Sequence, residues 1–240
     1  MDSLFERELM IGPSVTDAAG KLSWQGAFVL FMDAASEHAE RLGIGTDLLR
    51  RGLFWLTVKT QVRFGARPRL GELVTLATWP ERPERMRCSR SYQLLRGGEI
   101  LVSGKTEWAV MDRTTGRLVS LAEVFPPELE MDRPSACPGP FARIADGFED
   151  AAPAREYVVR ATDIDLGGHM NNAAYVRAVM DSFTAEELSR MHLASVDVAF
   201  RAPCYEGDRL RIEKRRTETG FDVRVSAAEK TAVLARLTLG

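Results

Sequence analysis

From position 163 the chain reads Asp-Ile-Asp-Leu-Gly-Gly-His-Met-Asn-Asn-Ala-Ala-Tyr, setting a carboxylate (Asp165), an imidazole (His169) and two carboxamides (Asn171, Asn172) within eight residues. Directly behind them, Ala173 to Phe183 is apolar and compatible with a helix. That order places polar groups at the start of a buried helix. Backbone N–H groups there have no intrahelical partner and the macrodipole is positive, an environment suited to a developing oxyanion. Asn171 and Asn172 are the expected N-cap residues. Gly167 and Gly168 permit positive φ and close approach of a ligand to the backbone. Asp165 has two readings: it folds back over the glycines onto His169, or it closes an Asx-type turn.

The elements that must position these groups occur twice. Asp17-Ala-Ala-Gly20-Lys21 precedes Asp165-Leu-Gly-Gly168-His169 by 148 positions, and Met32-Asp33 precedes Met180-Asp181 by the same offset. Further on, Val62-Arg63-Phe64 and Gly71-Glu72 match Val198-Ala199-Phe200 and Gly207-Asp208 at an offset of 136. The difference falls around Gly43–Gly52, an extra segment of the first copy. Two copies of one unit is the simplest reading. Each copy is a short strand, a long helix and several strands. Helical spacing of Phe28, Phe31, Met32, Ala35 and Ala39 predicts a helix over Gln25–Leu42, stopped by Gly43. Leu53–Phe64, Glu72–Trp79, Arg87–Leu95 and Ile100–Met111 follow as strands, with Gly97-Gly98 as a hairpin turn. In the second copy Asn172–Leu188 reads as helix, and Ser195–Arg201, Arg209–Arg216, Asp222–Ala227 and Thr231–Leu239 as strands, with a turn at Thr219-Gly220. The expected organisation is an α+β fold: a domain over 1–121, a linker over 122–154 and a domain over 155–240. The linker region is rich in proline, but Phe141, Ile144 and Phe148 suit it to packing on a surface. Where the second copy has His169 and Asn171, the first has Lys21 and Ser23, so one copy is expected to be active.

Composition narrows the class of function. With 45% hydrophobic and 28% charged residues, the 240-residue chain has material for a globular core, and a net charge of −2 gives no bulk field for nucleic acid. No apolar run approaches the roughly 20 residues that cross a bilayer. The N-terminal sequence has early acids and no apolar signal region, so a cytoplasmic protein is expected. Three cysteines without a CxxC, and three scattered histidines, predict neither a disulfide framework nor a metal site. Without a phosphate-binding glycine motif, no nucleotide cofactor is expected.

The chain resembles the acyl-acyl carrier protein thioesterases. The residues that carry the likeness are Asp33-Ala34-Ala35, Trp55–Arg69, Thr78-Trp79-Pro80, the Arg90/Tyr92 strand and Trp108 with Met111-Asp112 in the first copy. In the second they are Asp165…His169…Asn171-Asn172…Tyr175 and Phe200-Arg201-Ala202-Pro203-Cys204. The resemblance implies two tandem hotdog domains, each a long helix wrapped by an antiparallel sheet. It also implies hydrolysis of a fatty acyl thioester without cofactor or metal, an acyl tunnel largely in the first hotdog and catalytic groups largely in the second. Asp165 and His169 are then the expected catalytic pair, with Gly168, Asn171, Asn172 and Cys204 against the substrate. Cys204 is a nucleophile only if its pKa is lowered, and otherwise a pocket-lining thiol. The chain departs from the family pattern at Gly167, where an Asn is usual, and at Pro203, where a Glu is usual. Phe28, Phe31, Met32, Leu53, Trp55 and Trp108 are candidates for the acyl wall or plain core. Arg63/Arg67/Arg69 and Arg82/Arg85/Arg87/Arg90 are candidates for docking an acidic carrier protein, as a monomer or homodimer. An acyl-CoA thioesterase, or a catalytically weak acyl-binding protein, is the alternative.

Overall fold

The apolar stripe of the first long helix organises the first half of the molecule. The structure, a computed structural model, describes residues 2–149 and 151–240, with the backbone alone at 152–154. Met1 of the expected first domain and Asp150 of the expected linker lie outside the described residues. Helix α1, Trp24–Arg41, starts where Ser23 Oγ accepts from Gly26 N at 2.8 Å, an N-cap that satisfies one first-turn amide. Its buried face, with Ala27, Phe28, Phe31, Ala34, Ala35 and His38, packs on an antiparallel sheet. The strands are β1 Phe5–Met10, β2 Leu53–Phe64, β3 Leu73–Pro80, β4 Cys88–Arg96 and β5 Glu99–Asp112, in the order β1-β3-β4-β5-β2. Phe31 stacks on Tyr92 of β4 with ring centroids 4.8 Å apart, and its ring lies over Gly104 of β5, where any Cβ would collide with it. The β4–β5 turn is Gly97-Gly98, both at positive φ (54° and 87°), the handedness that matches strand twist. The extra segment of this copy carries a short helix α2, Thr46–Arg50, anchored by buried Leu48.

The second half repeats this plan. Strands β6 Ala152–Val158, β7 Leu193–Phe200, β8 Arg209–Thr217, β9 Gly220–Ala227 and β10 Lys230–Leu239 lie in the order β6-β8-β9-β10-β7, element for element the order of the first half. Helix α3, Asn172–Met180, buries Ala174, Tyr175, Val176, Ala178 and Val179. The single helix expected through Leu188 is not what forms. Ser182 Oγ donates back to Val179 O at 2.7 Å, and Phe183 turns inward to meet Phe221 edge-on at 5.1 Å. Thr184 then caps a separate helix α4, Ala185–Arg190, in a reciprocal box with Glu187. The other expected elements agree to within a few residues.

The repeat extends to individual hydrogen bonds. Asp17 N donates to Lys21 O (2.8 Å) as Asp165 N donates to His169 O (3.0 Å); Gly20 N donates to Asp17 O (2.9 Å) as Gly168 N does to Asp165 O (3.0 Å). Gly20 and Gly168 share positive φ, 66° and 77°. The chain divides into two compact units, Met1–Gly139 and Pro140–Gly240. The proline-rich stretch is shared between them. Val124, Phe125 and Leu129 join a buried cluster with Leu42, Ile44, Leu48 and Leu53, whereas Ile144 and Phe148 pack on Leu234. No helix among the described residues is long and apolar enough to cross a membrane.

Candidate active site

The polar cluster of the second unit is a closed loop. An antiparallel bridge between Ile164 and Met170 draws its ends together, and the Asp165–His169 backbone bond tightens it. Within the loop, Asp165 Oδ1 accepts from Gly167 N at 2.7 Å, an Asx turn, and the same oxygen stands 3.8 Å from His169 Nδ1. The Asx turn is therefore made, whereas the hydrogen bond to His169 that the fold-back reading calls for is not: 3.8 Å is an ion-pair separation. His169 Nδ1 lies 3.3 Å from Met170 O. A carbonyl can only accept, so Nδ1 is the protonated nitrogen in the neutral ring and Nε2 keeps its lone pair. The Nε2 edge covers Gly167: a Cβ there would stand 2.8 Å from Nε2 and 2.9 Å from Asp165 Oδ1. The side chains of His169 and Asp165 are 29% and 36% exposed, enough for water and substrate to reach them.

Asn171 caps α3. Its Oδ1 accepts from Ala174 N at 2.7 Å, while its own N–H and Nδ2 both donate to Asp163 O, at 2.8 and 3.1 Å. Asn172 is the first helical residue beside it. Met170 N donates to Cys204 O at 2.8 Å, which ties the loop to the segment that follows β7. Cys204 is 1% exposed, and burial pushes its thiol up, against thiolate chemistry. Tyr175 Oη accepts from Cys204 N at 2.8 Å and donates to Ala202 O, and burial raises this phenol too.

Sequence reasoning missed the network beneath the loop. Asp163 is 1% exposed, and its carboxylate accepts from Tyr157 Oη (2.7 Å), from Arg160 N (2.9 Å) and from Arg177. Burial alone would raise this carboxyl, but the bonds from Arg160 N–H, Tyr157 and Arg177 outweigh it and hold it below its ordinary value. Asp163 thus fixes β6 and α3 to the two ends of the loop. The available signal was the Asp163-x-Asp165 pairing, in which only one carboxylate is free to face the histidine.

The first unit shows the same scaffold used differently. Asp17 accepts from Ala19 N and Lys21 N, and Arg67, 3.9 Å above the Trp24 ring, takes its other oxygen at 2.7 Å. The residue at the Arg67 position in the second unit is Pro203, which has no cation to compete for Asp165. Of the arginines expected to dock a carrier, two are not surface groups. Arg67 is engaged with Asp17, and Arg90 is buried against His38; Arg63, Arg69, Arg82 and Arg85 are exposed. Among the acyl-wall candidates, Phe28, Phe31 and Leu53 are buried, Met32, Trp55 and Trp108 partly so, with Trp55 and Trp108 edge-on at 6.1 Å.

Comparison with known proteins assigns both units to one group. The acyl-ACP thioesterase N-terminal domain matches residues 2–127, and the acyl-ACP thioesterase C-terminal domain matches residues 149–236. Among curated proteins, the palmitoyl-acyl carrier protein thioesterase, chloroplastic, of Cuphea hookeriana is 24% identical over 186 residues, covering 72% of this chain and 45% of its own. The chloroplastic oleoyl-acyl carrier protein thioesterase 2 of Arabidopsis thaliana is 24% identical over 200 residues, covering 75% of this chain and 54% of its own. The chain spans about half the length of these relatives. Among solved structures, an acyl-ACP thioesterase from Bacteroides thetaiotaomicron superposes with a TM-score of 0.87 at 20% identity, over 99% of this chain and 98% of that one. A 12:0-ACP thioesterase from Umbellularia californica gives 0.84 at 20% identity, over 99% and 97%. The shared architecture is the double hotdog.

Proposed function

The chain belongs to the acyl-ACP thioesterase family, and from that premise we propose that it hydrolyses fatty acyl thioesters of an acyl carrier protein to free fatty acid and carrier thiol. The observation that carries this reading is the Asp165–His169 pair at the start of α3, inside the segment that matches the family's C-terminal domain. His169 Nε2 takes a proton from water as the water oxygen attacks the thioester carbonyl carbon. The carbonyl oxygen becomes an oxyanion, stabilised by the positive N-terminal end of α3. Collapse of the tetrahedral intermediate breaks the C–S bond, and the departing sulfur takes the proton from the imidazolium. Asp165, at ion-pair distance, stabilises that imidazolium. Cys204 lines the site as a neutral thiol.

In this proposal the first unit, through residue 121, receives the acyl chain and the second, from residue 155, supplies the chemistry, with 122–154 connecting them. The helix–sheet interface of Phe28, Phe31 and Tyr92 supports the first assignment, and the presence of an imidazole in the loop of the second copy, where the first has Lys21, supports the second. Exposed Arg63, Arg69, Arg82 and Arg85 offer a basic surface to an acidic carrier protein. The cytoplasmic setting expected from the sequence belongs to this proposal too; the curated relatives carry chloroplastic names. A weakly catalytic acyl-binding protein is the second reading, and Gly167 without its carboxamide favours it. Turnover of carrier-bound and CoA-bound acyl chains by the wild type and by His169→Ala separates these readings.

A further inference from the structure

His169 has a neighbour across the backbone pairing that the proposed mechanism does not use. In the first unit Lys21 and Arg69 stand opposite each other in an antiparallel bridge, made by Leu22 N donating to Pro68 O and Leu70 N to Gly20 O, both 2.8 Å. At the repeat offsets of 148 and 136, the equivalent residues of the second unit are His169 and Tyr205. The first of the two bonds is kept, as Met170 N donates to Cys204 O at 2.8 Å. Tyr205 therefore follows directly across from His169, and antiparallel neighbours carry their side chains on one face. A turn fixes the Tyr205 backbone: its N–H donates to Asp208 Oδ2 at 2.8 Å, and Asp208 N donates to its carbonyl at 3.0 Å. The residue is nonetheless 55% exposed. Within the histidine's own loop, Leu166 is the second residue of the Asp165–Gly168 turn. It is 87% exposed, more than any other large apolar residue among those described, and the first unit has Ala18 in its place. Leu166 and Tyr205 thus leave apolar area in water beside the imidazole, forgoing the gain that burial would bring. The charges differ between the units as well. Where the first sets two cations, Lys21 and Arg69, the second sets an imidazole and a phenol, and the Tyr205–Asp208 turn carries two carboxylates, Glu206 and Asp208. Such a rim repels phosphate and acidic protein surface, and suits a neutral chain of methylene and amide groups.

We propose that Leu166 and Tyr205 form a rim that holds the neutral part of the substrate's thiol arm, a chain of methylenes and amides of the pantetheine kind, while the C–S bond lies against His169. The inference rests on the reading of the chain as a thioesterase. An acyl chain needs a buried apolar site, whereas the thiol arm stays tethered outside, so an exposed amphipathic rim beside the reacting bond faces the arm. Carrier protein and CoA both present this arm.

The test compares the thioesters of one acyl chain, at the length the wild type hydrolyses fastest, with ethanethiol, pantetheine, CoA and carrier protein. It uses the wild type and the double variant Leu166→Ala with Tyr205→Ala; both residues are exposed, and thermal unfolding checks that the variant folds. The ratio of kcat/KM on the pantetheine thioester to that on the ethanethiol thioester should fall about tenfold in the variant, mainly through KM, the size expected when a covered apolar side chain is lost. The CoA and carrier thioesters should fall with the pantetheine one, and the wild-type preference between them tells which source supplies the arm. An equal fall on all four thioesters, which would place the residues in the chemistry or the fold, overturns the inference. A fall on the carrier thioester alone, which would place them against the carrier protein, overturns it too. Calorimetric binding of S-dodecylpantetheine, a thioether that cannot be hydrolysed, needs no turnover, and the wild type should bind it about tenfold more tightly than the variant. That difference without hydrolysis of any thioester removes the thioesterase reading and keeps the rim. Hydrolysis with neither the change in ratio nor the difference in thioether binding does the reverse.

Discussion

Asp165 Oδ1 stands 3.8 Å from His169 Nδ1, and among the described residues no Lys or Arg side chain pairs with that carboxylate. The equivalent carboxylate of the first unit, Asp17, is instead held by Arg67 at 2.7 Å, and the residue that follows the glycine is Lys21, not histidine. One scaffold thus serves two purposes. In the first unit the aspartate is neutralised and closes a turn; in the second it is left to face an imidazole. Pro203, at the place of Arg67, supplies no cation to Asp165.

The other departure, Gly167, carries a prediction. A Cβ at this position would stand 2.8 Å from His169 Nε2 and 2.9 Å from Asp165 Oδ1. Gly167→Ala should push the imidazole off its seat and lower kcat/KM on acyl-carrier substrate by about tenfold or more, the usual penalty for displacing a general base. Thermal unfolding should change little, because the loop is exposed. Unchanged kcat/KM would show that the ring is not needed where it sits.

Asp163 should matter to stability and rate together. Asp163→Asn leaves Arg177 without its carboxylate and weakens the bond from Tyr157. A loss of about 2–4 kcal/mol in chemical denaturation follows from breaking a buried charged network. Tyr157→Phe should lose about 1 kcal/mol. Because Asp163 acts through the loop, kcat should fall more than KM rises in the asparagine variant. A pure stability effect with native kcat would remove it from the account.

The sequence legibly carried the duplication, because a constant offset between Asp17 and Asp165 marks the same hydrogen-bonded loop twice. Strand ends were legible for the same local reasons: Gly97-Gly98 fixes a two-residue hairpin wherever it occurs between strands. Three things were not legible. The break at Asp181–Thr184 depends on Phe183 finding Phe221, a contact made only after β9 is in place. The burial of Arg90 could not be seen in a run of arginines that otherwise reads as a solvated face. The role of Asp163 was hidden because its partners, Tyr157 and Arg177, come from two different elements. The Asp165–His169 spacing was readable, but whether the loop folded back was a matter of backbone geometry.

His38 predicts an acid-side loss of stability in the first unit. Its folded-state pKa is pushed down to about 3, first by burial and then by Arg90 and Arg41. In the unfolded chain it titrates near 6.5. Between these values the unfolded state binds the extra proton, so stability rises with pH across about 3 to 6.5 and its His38 contribution is fully present above that window. The slope from this one group is at most about 1.4 kcal/mol per pH unit. Unfolding free energy measured by urea titration from pH 4 to pH 7 should be flatter for His38→Gln than for the wild type. Equal slopes would contradict the assignment.

The β9–β10 turn is built from the wrong residues for its geometry. Ala228 and Glu229 hold φ of 45° and 66°, a left-handed conformation that favours Asn and Gly. The double substitution Ala228→Asn with Glu229→Gly should raise stability by about 1–2 kcal/mol, seen as an upward shift in melting temperature. A downward shift would mean that the turn is held by contacts these residues make.

The proposed role of His169 is that of general base in hydrolysis of a carrier-bound acyl thioester. Steady-state release of free thiol from acyl-carrier protein, measured across chain lengths for the wild type and for His169→Ala, tests it most directly. The wild type should turn over, and kcat should fall about 100-fold or more in the variant, the contribution of a general base, with the circular dichroism spectrum unchanged. Equal turnover in a folded His169→Ala protein would contradict it.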